Sequence, residues 1–180
     1  MSIQFLDLRV IRASIVDSVK SHFESPPTAM GWSRPYNVYD IIDMANELFV
    51  PTKPFVYVIS AHAEPTPSRI PMVVVDPRFQ TGPYQLGSRA GADVDVSLHC
   101  WGRTRAERDD FATMLTNVYA GNTERAFSIS IWTSLQDSTS VGEASVSSNV
   151  ITSFATAGGA LSEEGTLRNW AIVSFRLKVR

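Results

Sequence analysis

One stretch of the sequence constrains the fold more than any other, because an alternating apolar segment runs directly into a capped helix. Val94, Val96, Leu98 and Cys100 alternate with polar residues, and this period of two predicts a strand with one buried face. Thr104-Arg105-Ala106-Glu107 follows and matches the capping box that begins many helices. The apolar stripe of that predicted helix is Phe111, Leu115, Val118 and Tyr119, with Gly121 placed to close it.

The remaining apolar patterns predict a second main helix and several further strands. Leu8, Ile11, Ile15, Val19 and Phe23 recur at three- and four-residue steps, and Pro26-Pro27 ends this helix. A weaker helical pattern runs from Val38 to Leu48. Strands are predicted at 55–59, 70–75 (ended by Asp76-Pro77), 127–131 and 171–179, with a long loop or irregular hairpin over 80–91. The predicted fold is α+β, a mixed and mainly antiparallel sheet with two main helices on one face, plus long loop or hairpin extensions.

The length of 180 residues predicts a single domain spanning 1–180. Two segments stand outside the regular patterns and are interpreted as extensions or arms. Residues 26–50 are rich in proline, glycine and aromatic residues, and residues 134–168 are rich in serine, threonine, alanine and glycine. Within the second segment, 141–154 is predicted to form a hairpin.

Charge and composition argue against two classes of partner. Lys+Arg number 16 against 18 for Asp+Glu, giving a net charge of −2, whereas proteins that bind nucleic acid usually carry a basic field. No apolar run approaches the ~20 residues of a membrane-spanning helix, and the N-terminus does not match a signal peptide. Cys100 is the sole cysteine, which excludes an internal disulfide and suits synthesis in a reducing cytosol.

The residue types that could carry chemistry do not form a recognised site. His99 and Cys100 are neighbours in a predicted strand, so their side chains point to opposite faces and cannot act as a nucleophile pair. Asp93, Asp95 and His99 share one face, but neighbours on it are roughly 6.5 Å apart, which is wide for ligands of one small ion. A solvated face is the preferred interpretation, and we expect no catalytic residues, no metal and no cofactor.

Three tryptophans stand out by their positions. Trp101, Trp132 and Trp170 each fall at the end of a predicted strand, off the face that carries the apolar set. Each could simply cover a strand end beneath a loop. Exposed aromatic residues gathered on one surface also mark protein–protein contacts, and our hypothesis is that at least two of these tryptophans lie in a contact between subunits.

The strand and capped helix over 94–108, preceded by a long helix and followed by an isoleucine-rich strand, resemble the tail terminator proteins of long-tailed bacteriophages. The neck proteins that join tail to head are a looser match. The resemblance implies an α+β subunit assembling as a ring, typically a hexamer, with no catalytic residues. Such a ring terminates the tail tube and joins it to the head connector or stopper protein.

The same resemblance implies a virion protein of the tail or neck, assembled in the host cytoplasm. The lack of a long apolar run adds the expectation that it has no membrane partner. Genome DNA would pass through the lumen without specific binding. The extra segments at 26–50 and 134–168 depart from the compact family pattern and also suit a neck adaptor or stopper between portal and tail. A small-ligand-binding or enzymatic α+β domain is the third alternative.

Overall fold

The computed structural model describes residues 7–24, 37–39, 55–60, 70–86, 89–120, 128–132, 140–147, 149–155 and 169–179. Two helices lie within these ranges, α1 (Leu8–Glu24) and α2 (Arg105–Ala120). The strands are β1 (Asn37–Tyr39), β2 (Phe55–Ser60), β3 (Met72–Leu86), β4 (Arg89–Trp101), β5 (Ser128–Trp132), β6 (Ser140–Val146), β7 (Ile151–Ala155) and β8 (Trp170–Val179).

The described strands form one eight-stranded sheet in the order β1-β2-β3-β4-β8-β6-β5, with β7 also paired to β8. The pairs β1–β2 and β2–β3 are parallel, and the others are antiparallel. The chain therefore has an α+β fold with a mixed, mainly antiparallel sheet, as the sequence predicts.

Both helices pack on the same face of the sheet and touch each other there. α1 buries the predicted apolar stripe from Ile11 to Phe23, while Leu8 is only partly buried, and α2 buries Phe111. The side chains of Phe23 and Phe111 have no exposed surface. Their rings meet edge to face with centroids 4.9 Å apart. Tyr119 of α2 stacks on Phe175 of β8 at 4.5 Å, so the second helix is tied both to α1 and to the centre of the sheet. Burying each such side chain contributes about 1.5–3 kcal/mol.

The turn between β4 and α2 contains the predicted cap in a modified form. The Glu107 amide donates to the Thr104 hydroxyl at 3.1 Å, as in a capping box. The Glu107 carboxylate, however, accepts from the Arg103 amide at 2.7 Å, one residue earlier than in the usual box. Asn169 holds this turn from the β8 side with two hydrogen bonds of 3.0 Å. Its backbone carbonyl accepts from the Gly102 amide, and its side-chain amide nitrogen donates to the Arg103 backbone carbonyl.

The predicted end of a strand at Asp76-Pro77 was wrong, since β3 continues to Leu86. β2 pairs with β3 only as far as Val75, so beyond that residue β3 has β4 on one side and no described strand on the other. A proline is tolerated at such an edge because its missing N–H need not remove a ladder hydrogen bond. Register shifts between Phe79 and Tyr84 make this an irregular hairpin, which was one of the two predicted forms.

Two other expectations need correction. The predicted hairpin over 141–154 is absent, because β6 pairs with β5 and β8, and β7 pairs with β8. The two strands follow one another along the same side of β8, bridged by the Ser147 amide, which donates to the Arg176 carbonyl at 2.8 Å. The weak helix predicted over 38–48 is wrong at Val38 and Tyr39, which belong to β1; the rest of it lies outside the described residues.

Candidate interaction surface

The sheet face opposite the helices carries a second set of side chains, supplied by the alternate positions of β3, β4 and β8. Strand register places these side chains in rows across the sheet. The two rows nearest the β4–α2 turn are Met72, Trp101 and Trp170, followed by Val74, His99 and Ile172. One end of this outer face is therefore apolar and aromatic.

Three rings in these rows form what we call the aromatic stack, composed of His99, Trp101 and Trp170. The two indoles are nearly parallel, at 4°, with centroids 5.6 Å apart. The imidazole lies 5.9 Å from Trp101 and 5.7 Å from Trp170, within the usual range for offset aromatic packing. The indoles pack with Ile70, Met72 and Val74 in a cluster separate from the main core.

The aromatic stack is largely buried and incompletely hydrogen-bonded. Trp101 is 6% exposed, while His99 and Trp170 are partly exposed. Within the described part of the chain, both indole N–H groups are buried without an acceptor, a situation that costs about 1–3 kcal/mol for each buried polar group. Burial lowers the pKa of His99. The charge of nearby Asp76 raises this pKa, and the charge of Arg78 lowers it.

Farther along the same face the side chains become charged. Arg176 of β8 contacts Asp95 of β4 at 2.8 Å, and both side chains are partly exposed. Arg78 and Asp76 pair within β3 at 2.8 Å. Exposed pairs of this kind contribute little to stability. The expected solvated face therefore fits Asp95, but it was wrong for His99, which lies in the aromatic stack.

Among the described strands, β7 forms an edge of the sheet beside the aromatic stack. It pairs with β8 from Ile151↔Ser174 to Ala155↔Trp170, and no described strand pairs with its other side, which we call the β7 edge. Ile151 is 62% exposed and Phe154 is 53% exposed; among the described residues these are the exposed large hydrophobic side chains. The β7 edge thus carries two exposed apolar side chains on a strand that has no described partner on its outer side.

Contacts with α2 hold β7 in place. The Thr152 hydroxyl lies 2.5 Å from the Thr116 hydroxyl of α2. The guanidinium of Arg108 sits over the Phe154 ring, 4.9 Å from its centroid, an arrangement in which the cation is attracted to the ring face. β7 is therefore fixed to the helical layer.

The three predicted interface tryptophans have different positions. Trp101 and Trp170 come together in the aromatic stack, and the burial of Trp101 leaves little of its ring for a direct contact. Trp132 ends β5 opposite Ser140, and its side chain lies outside the described residues. The assignment of these residues to a subunit contact stays a prediction.

Ile151 and Phe154 were missed by sequence reasoning. The available signal was two large apolar residues standing in a segment otherwise dominated by serine, threonine and alanine. That composition predicts a loop or hairpin arm, in which these two residues have no role.

Cys100 lies in the main core, with no exposed surface. Burial raises the pKa of its thiol, so the reactive thiolate is disfavoured.

Across the described ranges, no three or more His, Cys, Asp and Glu side chains are grouped so as to hold a metal ion. No helix in the described ranges is both long and apolar enough to span a membrane.

The fold and this surface together define an α+β protein with helices on one side of a sheet, and with the exposed apolar side chains of β7 beside an aromatic stack. No model of a known protein family matches the chain, and no curated protein matches it.

Proposed function

We propose that this chain is a structural virion protein that forms a ring, terminates the phage tail tube and joins it to the head connector. The observation that carries the proposal is the β7 edge, where Ile151 and Phe154 are exposed on a strand that has no described partner on its outer side. Open strand edges readily pair with another chain. The resemblance of residues 94–108 to tail terminators supplies the specific assembly.

The topology of the sheet and the net charge of the chain are compatible with a ring around DNA. A ring requires a contact between two different patches of the same subunit, and the described sheet ends in different strands on its two sides. The net charge of −2 supplies no general attraction for the genome that passes through the lumen. The partners in this proposal are copies of the same chain, the tail tube protein and the head connector or stopper protein.

The test is the mass of the purified protein by light scattering over a concentration series, with and without tail tubes of the phage that encodes it. Negative-stain images of the same fractions show shape. We expect a closed ring, a hexamer, either free or at one end of each tube. A protein that forms no ring alone and does not bind tube ends contradicts the proposal, and binding to the portal instead favours a neck adaptor or stopper.

A further inference from the structure

We infer that the aromatic stack is a proton-controlled device, closed near neutral pH and opened by protonation of His99 at mildly acidic pH. Opening exposes the rings of Trp101 and Trp170 on the outer face of the sheet, while the main core stays folded. The inference goes beyond the proposed function and does not depend on it, because it concerns a change within a single subunit.

The position of the aromatic stack allows it to open separately from the rest of the fold. The row that contains both indoles consists of strand ends, since Met72 begins β3, Trp101 ends β4 and Trp170 begins β8. Its side chains form a cluster distinct from the main core that lies between the sheet and the helices. Regions outside the main core can open at a lower free energy than the whole protein needs to unfold.

Protonation of His99 favours the open form of the aromatic stack. The imidazole is partly exposed and contacts both indoles, with centroid distances of 5.9 and 5.7 Å. A positive charge placed there is poorly hydrated among aromatic and apolar side chains, whereas in the open form it is in contact with water. Opening also gives water access to the two buried indole N–H groups, which have no acceptor among the described residues.

The charged groups that face His99 occur as pairs of opposite sign. In its own row, the neighbouring strands supply uncharged residues, namely Val74 of β3, Ile172 of β8 and Ser153 of β7. One row farther on β3, Asp76 accepts from Arg78 at 2.8 and 3.1 Å, and the two charges act on His99 in opposite directions. The next charges on β4 and β8 are Asp95 and Arg176, which pair with each other at 2.8 Å. None of these pairs supplies a net negative charge to hold a protonated imidazole in the closed form.

The pH range of opening follows from the pKa of His99 in the two forms. Burial holds this pKa in the closed form below the ordinary value of 6.5, to which it returns when the imidazole is hydrated. The contribution of His99 to the closed form is therefore complete above about pH 6.5 and is lost as the pH falls through the lower pKa of the closed form.

The first experiment follows the fluorescence of the two indoles in a Trp32→Phe, Trp132→Phe background, where Trp101 and Trp170 are the remaining two of the four tryptophans. The pH is varied between about 8 and 5, the range in which histidine changes charge. We expect a red shift of the emission and stronger quenching by acrylamide, with a single-proton dependence and a midpoint below pH 6.5. Far-UV circular dichroism recorded at each pH should stay constant, because the main core remains folded.

The matched variants in this background are His99→Gln and His22→Gln. Each removes one partly buried imidazole whose pKa is lowered by burial, but His22 lies on α1 beside Tyr119, on the other face of the sheet. We expect the fluorescence transition to disappear with His99→Gln and to remain with His22→Gln. A transition that persists in His99→Gln, or no transition in a background that is folded, would overturn the inference. Loss of circular dichroism at the same midpoint would overturn it too, because the whole fold would then be opening.

The second experiment uses the wild-type chain and so does not require any variant to fold. Proton NMR of the His99 imidazole measures its pKa directly, while the indole N–H signals report on the stack. We expect a pKa below 6.5 and a change of the Trp101 and Trp170 signals at the same midpoint. A pKa at or above 6.5 would show that the indoles stabilise the imidazolium by cation–π attraction, so that acid closes the stack, and this result would overturn the inference.

Discussion

Replacing Gly102 by alanine should weaken the protein at the turn that connects the aromatic stack to α2. A Cβ at this position would lie 2.8 Å from the Thr104 carbonyl oxygen and 2.9 Å from the Arg108 Cα, and would also collide with the Arg108 amide nitrogen. Ordinary contacts of a Cβ begin at 3.4 Å. The colliding atoms belong to the backbone, so rotation of a side chain cannot relieve the overlap.

The expected loss of stability follows from the backbone displacement that the added Cβ would require. Either Gly102 or the first turn of α2 has to shift by several tenths of an ångström, and overpacking of this kind costs about 1–3 kcal/mol. The shift would also strain the hydrogen bonds from the Arg108 amide to the Thr104 carbonyl, at 3.1 Å, and from Gly102 to Asn169, at 3.0 Å. Each contributes about 1 kcal/mol, so we expect a total loss of about 2–4 kcal/mol.

The assay is equilibrium urea unfolding of Gly102→Ala beside Thr104→Ala. The Thr104 variant removes a helix cap without adding an atom, and should lose about 1 kcal/mol. A loss for Gly102→Ala below about 0.5 kcal/mol, the size of an ordinary surface substitution, would refute the argument that the backbone approaches too closely for a side chain.

Three further predictions concern the core and the buried titratable groups. Phe111→Ala should lower the free energy of unfolding by about 3–5 kcal/mol, because the ring has no exposed surface and packs on Phe23; a loss below about 1 kcal/mol in urea unfolding would contradict this. Burial lowers the pKa of His99 below its ordinary value of 6.5, so the unfolded chain binds the proton first. Stability should therefore fall as the pH drops from about 6.5 to 5; His99→Gln should reduce that fall in thermal unfolding, and His22, whose pKa burial also lowers, should account for part of the remainder. The Cys100 thiol should react with an aromatic disulfide reagent only after denaturation, since rapid labelling of the native protein would show that it is accessible.

The parts of the fold that were predictable from sequence are those determined by local patterns. The alternation at Val94–Cys100 and Ala171–Val179 places both strands correctly, because a half-buried strand repeats every two residues. The cap at Thr104 is likewise local. Which strand pairs with which is determined by contacts distant in sequence, and so β6 and β7 were mistaken for a hairpin although both pair with β8.

The candidate surface was only partly predictable, for the same reason. The alternation in the sequence predicts that Trp101 and Trp170 lie off the apolar face of their strands. Their stacking, however, depends on the register between β4 and β8, which places them side by side. His99 was assigned to a solvated face because alternation distinguishes one face from the other and does not show whether the second face is covered. The importance of Ile151 and Phe154 depends on the position of β7 at the edge of the described strands, and that position is set by pairings distant in sequence.

β8 contributes side chains to the core and also pairs with β7, which carries the exposed residues of the proposed assembly surface. The stability of the subunit and its assembly can therefore be tested separately. Its inner positions, such as Val173, are fully buried in the core, so substitutions there should appear as changes in unfolding. Its outer position Trp170 belongs to the aromatic stack, and its neighbour β7 carries the exposed Ile151 and Phe154. Because Ile151 is mostly exposed, a substitution there should leave the folded subunit nearly as stable while altering assembly. A substitution that changed both quantities in proportion would indicate that the β7 edge serves the stability of the subunit and not a contact between copies.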